Sequence, residues 1–348
     1  MWIVTLILCA IVLITTGLPL IRSGAWWIRI FDFPRIQIAV LTFLTMILAY
    51  VFLNFQWEFK LLLLLVLAVA FVYQMQFVLV YTPLFKTQAK KSNKPTEGTS
   101  LTLLVSNVLM DNEDKESFHT LVKKYDPDIL LINEPDQKWA ESVNKLEVDF
   151  PYSIKYPLEN TYGMILLSKL QLTESVVNFL VKDDVPSIFT KITLPSGSKI
   201  DFYGVHPEPP QPGTDTYERD TELLIIGKKI RETKNPTIVA GDMNDVGWSE
   251  TSKLFRKYSK LADPRKGRGF FNTYSVFVPL LRFPLDHIFY SGEFGLLTLK
   301  TLEDIGSDHY PLLIGLNYEP DGDNTEVLEK TDAGEEAEVE EKIEEGKD

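Results

Sequence analysis

The sequence predicts an α/β layered sandwich preceded by three transmembrane helices. Two observations predict this arrangement: residues 1–85 are mostly apolar, and short apolar runs alternate with helix-like stretches after residue 100. A third observation, the acidic composition of the last thirty residues or so, sets the end of the folded part. We therefore expect a membrane region over 1–85, a linker over 86–100, a globular domain over 101–318 and an acidic disordered tail over 319–348.

Three apolar stretches lie in the membrane region, at residues 1–21, 36–55 and 61–84. Each is close to the roughly 20 residues that a helix needs to cross a bilayer. The second and third contain no charged residue, so buried soluble helices are the weaker alternative for them. A cleaved signal peptide is the alternative for the first, but it lacks a positively charged start and a clear cleavage site. We predict three spanning helices.

Cations near the apolar stretches set the expected orientation. They are Arg22, Arg29 and Arg35 around the first loop and Lys86, Lys90, Lys91 and Lys94 after the third stretch. Because cationic loops stay on the cytoplasmic side, we expect an integral protein of the plasma (inner) membrane with a cytoplasmic globular domain. An interfacial position of Trp26 and Trp27, or a different number of spans, would change this assignment.

The charge of the chain is concentrated in its tail. Residues 319–348 carry 14 acidic and 3 basic side chains, which leaves −2 of the total −13 for everything before them. The globular domain lacks the basic excess typical of proteins that bind long nucleic acids. The single cysteine, Cys9, excludes a disulfide within the chain and a cysteine-based zinc site.

Short apolar runs predict the strands of the globular domain. They lie at 101–109, 128–136, 162–169, 200–206, 237–244, 285–291 and 307–316, and helix-like stretches lie at 115–125, 137–146, 217–233 and 249–260. Several of the runs end in polar residues suited to catalysis. Because α/β sandwiches build sites from strand ends and the loops that follow, we expect these side chains to gather at one rim.

The polar residues occur in a particular order along the chain. They are Asn107, Glu134, His206, the Gly-Asp-Met-Asn segment at 241–244, Leu-Asp-His at 285–287 and Ser-Asp-His at 307–309. This set resembles the signature of the endonuclease/exonuclease/phosphatase superfamily, which includes deoxyribonuclease-like nucleases, neutral sphingomyelinases and inositol-polyphosphate phosphatases. The resemblance covers about 101–316, and the stretch 263–292 is similar to bacterial membrane-anchored members. It implies a four-layer α/β/β/α sandwich and a divalent-metal-dependent phosphoester hydrolase.

The residue types fit that chemistry. A phosphoester hydrolase needs a cation to neutralise phosphate oxygens, a base for water and donors for the transition state. We expect Mg²⁺ or Mn²⁺, with Glu134 as the first ligand because it follows a buried strand, Asp308 as a second carboxylate and Asn107 as a neutral oxygen. A surface acid is the alternative for Glu134, and a turn or cap residue is the alternative for Asn107.

Catalytic roles follow from the resemblance. It implies that Asp242 positions or deprotonates the attacking water, and that Asn244 orients Asp242 or the phosphate. It pairs Asp286 with His309, which acts as general base or holds the phosphate, and it assigns a phosphate contact to His206. Asn133 and Met243 depart from the usual Gln and Phe of the family, but neither change removes a catalytic group. We expect His287 to serve packing and His119 to lie at the surface.

The sequence leaves the substrate open among nucleic acid, phospholipid and small phosphate esters. Basic residues that could contact a phosphate are Lys253, Arg256, Lys257 and Lys260 on one predicted helix and Arg265, Lys266, Arg268 and Arg282 before Asp286. Phe270 and Phe271 could stack on a base or lie against lipid. The expected partners are the phosphoester substrate and a bilayer, and no protein partner is predicted. The alternative function is a non-catalytic membrane scaffold that binds partners through the domain and the acidic tail.

Overall fold

The chain forms two compact units in the computed structural model, which describes residues 1–92, 96–322 and 328–346. The first, the helical unit, comprises Met1–Lys86, Pro210–Thr216 and Gly267–Gly269. The second, the sheet unit, comprises Thr87–Pro209, Tyr217–Lys266 and Phe270–Asp348.

Apolar helices make up most of the helical unit. They are α1 (Trp2–Gly17), α3 (Arg35–Phe52) and α4 (Trp57–Leu79), with the short α2 (Trp26–Arg29) between the first two. The three long helices, with α1 extended to Leu20, have mean hydropathies of 2.5, 1.9 and 2.4 over the spanning windows. The apolar stretches seen in the sequence therefore form helices with the length and composition of membrane spans.

Small and polar side chains fill the interior of the helical unit. Arg35 donates to Asp32 at 2.5 Å and to Oε1 of Gln74 at 3.3 Å, and Gln74 donates to Thr16 at 3.0 Å. Apolar surroundings leave such groups few other partners, so the network joins α1, α3 and α4 specifically. Two segments from later in the chain complete the unit; Asp215 accepts a bond from the Trp26 amide at 2.9 Å.

Two mixed sheets form the sheet unit. The strands are β1 (Ser100–Asn107), β2 (Ile129–Asn133), β3 (Tyr152–Tyr156), β4 (Met164–Ser168), β5 (Gln171–Asn178), β6 (Ser187–Thr193), β7 (Lys199–Gly204), β8 (Thr237–Asp242), β9 (Asp286–Tyr290), β10 (Phe294–Thr301) and β11 (Leu312–Tyr318). One sheet has the order β10-β11-β1-β2-β4-β3 and the other the order β5-β6-β7-β8-β9. The helices are α5 (Lys115–Tyr125), α6 (Gln137–Val143), α7 (Tyr217–Thr233), α8 (Glu250–Ser259) and α9 (Ala333–Glu345).

Alternating side chains show how these elements stack. Leu103 and Val105 of β1 lie in the core between the sheets, whereas Leu104 between them packs in the layer of α5 and α6. Ala240 of β8 likewise lies between the sheets, and Val239 packs with α7, α8 and α9. Because neighbouring residues of a strand face opposite sides, each sheet carries helices on its outer face only. The predicted four-layer α/β/β/α sandwich is confirmed.

Parallel pairing brings the strand ends to a common rim. β1 pairs with β2 in parallel, with Asn107 opposite Asn133, and α5 makes the crossover. β7 pairs with β8 in parallel through α7, and Asp242 at the end of β8 lies opposite Asp286 at the start of β9. Parallel pairs require such crossovers, and their carboxyl ends meet at one edge.

The prediction of a disordered tail over 319–348 is wrong for Ala333–Glu345, which forms α9. Asp332 caps this helix in a capping box with Glu335, and Val339 and Ile343 are buried against α7 and α8. Lys228 pairs with Glu340 at 2.6 Å. The acidic composition masks a short amphipathic pattern of two apolar residues four positions apart. Their burial is possible because the facing surface of α7 and α8 is basic. Residues 323–327 and 347–348 of the predicted tail lie outside the described residues.

The predicted linker over 86–100 also contains packed residues. Ala89 is buried in the core between the sheets, and Lys90 and Ser92 exchange backbone bonds with Leu296 of β10. This segment therefore extends the pairing at the β10 edge, a non-local contact that its polar composition does not reveal. Residues 93–95 of the linker, including Lys94 used for the orientation, lie outside the described residues.

Four strands were missed in the sequence: β3, β5, β6 and β10. β3, β5 and β10 are edge strands, and β5 has three exposed residues in its centre. An edge strand with an exposed face lacks the continuous apolar run of a central strand such as β2, whose residues are all buried.

Candidate active site

Two carboxylates and an amide meet where β1, β2 and β8 end. The side-chain nitrogen of Asn107 donates to Oε1 of Glu134 at 2.7 Å and to Oδ2 of Asp242 at 3.0 Å. Its side-chain oxygen accepts the amide of Leu109 at 3.0 Å. In this orientation the Asn107 amide nitrogen holds the two carboxylates together, and the role of Asn107 as a metal ligand stays a prediction.

Glu134 lies in the loop after β2 with a left-handed backbone (φ 63°). Its amide donates to the Gly163 carbonyl at 3.0 Å, and its side chain is 16% exposed. Burial raises the pKa of Glu134, although His206 and the Asn107 amide act in the opposite direction. A carboxylate kept at this depth is stabilised in its charged form by a cation.

Asp242 is the central group of the site. It is 1% exposed, and it accepts the Asn244 amide at 2.9 Å in addition to the Asn107 amide. Burial would raise the pKa of Asp242, but His309, His206 and these donors together lower it. Gly241 before it adopts φ 141°, and a Cβ there would collide with the Val205 carbonyl. Glycine is therefore required for β8 to approach β7 this closely.

Asn244 follows in a left-handed conformation (φ 49°). Its side chain donates to the Pro207 carbonyl at 2.9 Å, and the Arg219 side chain donates to the backbone carbonyl of Asn244 at 2.9 Å. Asn244 therefore orients Asp242 through its backbone amide and links this loop to the segment that carries His206. Arg219, a buried residue of α7, is a positioning residue that the sequence pattern did not reveal.

Asp286 and His309 form a buried pair at the opposite side of Asp242. Nδ1 of His309 lies 2.7 Å from Oδ2 of Asp286, and its Nε2 lies 3.5 Å from Oδ2 of Asp242. Burial alone would lower the pKa of His309, but Asp286 and Asp242 raise it to about 10. A carboxylate on one imidazole nitrogen fixes the tautomer and directs the other nitrogen into the site.

His206 completes the cluster. Its Nε2 lies 3.9 Å from Asp242 and 4.0 Å from Glu134, and its side chain is only 2% exposed. The Tyr162 ring packs against it at 5.6 Å between centroids. Its Nδ1 has no hydrogen-bond partner among the described residues.

These groups provide two overlapping sets of ligand atoms. Glu134, His206 and Asp242 form one set, and Asp242, Asp286 and His309 form the other, with all atoms of a set within 4.8 Å of one another. Oxygen-rich, buried and net negative, the first set suits a hard divalent cation. Oδ1 of Asp286, which lacks a hydrogen-bond partner among the described residues, shows remaining acceptor capacity in the second.

Asp308 stands outside both sets. It is half-buried, its nearest side-chain partner is the Ser307 hydroxyl at 3.5 Å, and burial raises its pKa. Of the predicted metal ligands, Glu134 lies in a ligand set with His206 and Asp242, Asn107 turns its nitrogen towards the site, and Asp308 flanks it. The assignment of a metal to Asn107, Glu134 and Asp308 stays a prediction.

Two hydroxyl groups to which the sequence pattern assigned no role support the Asp286–His309 pair. Ser307 donates to the Asn107 carbonyl at 2.8 Å and accepts the His309 amide at 3.1 Å. Thr273 accepts the amides of Leu285 and Asp286 at 3.2 and 3.1 Å. The position of Ser307 next to Asp308 and His309 is a local signal for it, whereas Thr273 is distant from any motif.

The basic residues proposed for substrate contact are mostly engaged elsewhere. Arg265 is buried and bonded to Asp263 and His287, and Lys266 is buried and paired with Glu329. Lys257 pairs with Glu335 of α9 at 2.7 Å. Phe271 packs against the core, and Phe270 packs edge-on against Trp248 at 6.0 Å. The predicted phosphate contacts by Arg265 and Lys266 are therefore wrong, because burial removes them from any substrate.

Comparisons with known proteins agree with this fold. The chain is 26% identical over 242 residues to a UPF0294 protein of Vibrio cholerae serotype O1 (strain ATCC 39315 / El Tor Inaba N16961), covering 67% of this chain and 83% of that protein. Among solved structures, an endonuclease/exonuclease/phosphatase from Bacteroides vulgatus matches with a TM-score of 0.54 and 17% identity, covering 64% of this chain and all of that one. TDP2 of D. rerio complexed with single strand DNA product matches with a TM-score of 0.51 and 18% identity, covering 63% and 99%.

The family comparison spans the site itself. The model of the Endonuclease/Exonuclease/phosphatase family matches residues 104–309, more than half of the chain, from β1 to the residue that pairs with Asp286. The chain belongs to the Endonuclease/Exonuclease/phosphatase family.

Proposed function

We propose that this protein is a divalent-metal-dependent phosphoester hydrolase anchored in a membrane by its three apolar helices. The observation that supports this best is the position of Asp242. Its carboxylate lies between Glu134 and His206 on one side and the Asp286–His309 pair on the other. A candidate cation site next to a group that can move a proton is suited to hydrolysis of a phosphoester.

The residues of the site have separate roles in the proposed reaction. Glu134, beside Asp242 and His206, would hold Mg²⁺ or Mn²⁺, and the cation would supply neutralisation of the phosphate oxygens. Asp242 orients the attacking water and accepts its proton, since Asn107 and the Asn244 amide leave little freedom to its carboxylate. His309, held by Asp286, directs Nε2 to the phosphate, and His206 contacts the phosphate from the other side.

Hydrolysis of bis-p-nitrophenyl phosphate by the full chain in detergent tests the proposal. We expect release of p-nitrophenol that depends on added Mg²⁺ or Mn²⁺ and stops on chelation. Asp242→Asn should lower the rate about a thousandfold, the usual magnitude for a group acting in the transition state. Asp149→Asn, which changes an exposed aspartate of the sheet unit, is the matched control. A stable, folded protein that hydrolyses no phosphoester would favour the non-catalytic scaffold.

Cations around the apolar helices support a cytoplasmic sheet unit at the plasma membrane, as the sequence predicts. A reporter fused after Asp348 tests this assignment. We expect activity of a reporter that works only in the cytoplasm and inactivity of one that works only outside it; the opposite pattern would reverse the orientation.

A further inference from the structure

We propose that the loop between Tyr274 and Phe283 inserts into a lipid bilayer and brings phosphoesters of a lipid surface to the Asp286–His309 pair. We call this segment, residues 275–282, the apolar loop. The inference rests on the proposed function and narrows its substrate class to lipid phosphoesters.

The apolar loop exposes four large apolar side chains within five residues. Phe277 is 64% exposed, Val278 45%, Leu280 83% and Leu281 48%, and a 3-10 turn over Pro279–Leu281 buries none of its residues. In the described part of the sheet unit, the other exposed large apolar residues are scattered along the chain. Exposing such a cluster to water costs free energy, so the cluster marks a surface that contacts apolar material.

Backbone bonds hold the loop in one shape. Tyr274 and Phe283 pair across its base, where the Tyr274 amide donates to the Phe283 carbonyl at 3.0 Å. The Leu281 amide donates to Val278 at 2.9 Å, and Arg282 donates to the carbonyls of Ser275 and Val276 at 3.3 Å. The apolar side chains are therefore presented on a loop that backbone and Arg282 bonds close at its base, with its tip at the surface.

The base of the loop is also part of the site. The Val276 amide donates to the Asp308 carbonyl at 2.9 Å, and the Tyr274 ring lies 5.0 Å from that of His309. Thr273, just before Tyr274, receives the amide of Asp286 at 3.1 Å. A lipid surface that the loop enters is thereby held next to the Asp286–His309 pair, which acts on the phosphate.

A bilayer is the occupant that the chain itself makes available. Three helices of this protein have the length and hydropathy of membrane spans, so a lipid surface is always near the sheet unit. The chain before residue 319 has a net charge of only −2, Arg265 and Lys266 are paired within the protein, and Arg282 bonds to carbonyls of the loop itself. A long nucleic acid would need an extended basic surface, whereas lipid insertion needs only the apolar side chains that are exposed here.

Depth-dependent quenching tests insertion without reference to activity. In the full chain carrying Cys9→Ser, a fluorophore is attached at Phe277→Cys or Leu281→Cys, and the protein is reconstituted in vesicles of equal parts phosphatidylcholine and phosphatidylglycerol. We expect lipids with a nitroxide on the acyl chain to quench both positions. Val148→Cys, a 90% exposed apolar position of the sheet unit, is the matched control and should not be quenched. Absence of quenching at both loop positions would overturn the proposal.

A pair of substrates with the same leaving group tests the substrate class. Bis-p-nitrophenyl phosphate is soluble, and diacylglycerol p-nitrophenyl phosphate resides in the vesicle. In Phe277→Ser/Leu281→Ser we expect the ratio of vesicle to soluble turnover to fall about tenfold or more, since two large side chains lose their burial in lipid. Val148→Ser should retain the wild-type ratio, and a ratio unchanged by the loop variant would overturn the inference.

The two experiments separate the inference from the function on which it rests. If the wild-type protein hydrolyses neither substrate, the proposed function and the substrate assignment both fail. Insertion of the apolar loop is decided by quenching alone, because that signal requires no turnover. Hydrolysis of the soluble substrate together with unquenched loop positions would retain the function and refute the loop.

Discussion

His309 and His287 lie on neighbouring segments of the same fold, and both are buried, yet their environments are opposite. His309 sits at the rim between Asp286 and Asp242, and its pKa is raised to about 10 in spite of burial. His287 sits one residue after Asp286 in β9, where burial and Arg265 lower its pKa to about 3. Charge next to the ring, not depth, decides which histidine carries a proton at neutral pH.

The hydrogen bonds show the same contrast. Arg265 must donate, so Nδ1 of His287 accepts at 2.7 Å and its Nε2–H donates to the Asp245 carbonyl at 2.8 Å. Both nitrogens are thus engaged in structure. His309 commits only Nδ1, to Asp286, and turns Nε2 to the site. The buried layer formed by Asp263, Arg265, His287 and Asp245 supports the rim, where Nε2 of His309 faces Asp242.

Replacing each histidine should give the largest contrast. We expect His309→Gln to lower kcat/KM for bis-p-nitrophenyl phosphate about a thousandfold, because a proton carrier or phosphate contact is lost. His287→Phe leaves Arg265 and the Asp245 carbonyl unsatisfied, so it should chiefly lower the thermal midpoint. Rates are to be normalised to folded protein in detergent. Equal losses of activity in the two variants would mean that the rim and the layer behind it do not have separate roles.

Breaking the buried layer tests its structural role directly. Burial would raise the pKa of Asp263, but Arg265, bonded to it at 2.9 and 3.0 Å, lowers it strongly. Arg265→Met leaves this carboxylate buried without its cation, and we expect a loss of about 3–5 kcal/mol in the free energy of unfolding. Denaturant unfolding of the full chain measures it. Lys124→Met, which breaks the exposed pair with Glu303, should leave the midpoint in place. A loss in Arg265→Met no larger than in that control would contradict the prediction.

Glu222 is a buried carboxylate with which no cation among the described residues forms an ion pair. Burial raises its pKa from 4.5 to about 7, although the Ser187 hydroxyl donates to it. Because the folded protein binds this proton more tightly than the unfolded chain, its contribution to stability is complete below pH 4.5 and is lost as the pH rises through 7. The loss amounts to about 3 kcal/mol for a shift of this size.

Denaturant unfolding at acid and at neutral pH, measured for the wild type and for Glu222→Gln, isolates the contribution of Glu222 ionisation to stability. The amide keeps an acceptor for Ser187 but does not titrate, so the wild type should lose stability relative to the variant over this window. Parallel pH profiles for the two proteins would show that Glu222 ionises as freely in the fold as in water.

Local sequence patterns were sufficient for many elements. α7 occupies the predicted 217–233, and the strand ends at Asn107 and Asp242 lie within the predicted runs. The strands are continuously buried towards these ends and α7 is rich in strong helix formers, so neighbouring residues carry the information. The edge strand β5 and the acidic helix α9 were not found. β5 pairs with its sequence neighbour β6 but has an exposed face instead of a continuous apolar run, whereas α9 depends on partners far along the chain such as Lys228 and Lys257.

For the candidate site, too, the sequence predicted some features and could not predict others. The resemblance to the family singled out Glu134, His206, Asp242, Asp286 and His309, and the structure brings all five together. It could not assign the amide orientation of Asn107, the distance of Asp308 from the ligand sets or the burial of Arg265 and Lys266. Each of these depends on which backbone group or ion lies opposite the side chain, for example the Leu109 amide that occupies the Asn107 oxygen.

The sequence by itself determined the layered α/β class, the apolar helices and the set of residues available for phosphoester chemistry, because periodicity and residue type are local properties of the chain. The tertiary structure alone decided which nitrogen faces a carboxylate, which cations are buried in ion pairs, and that Phe277 and Leu281 remain exposed beside the rim. Those outcomes depend on the distances between groups that are remote in sequence, and electrostatic and burial free energies are set by such distances.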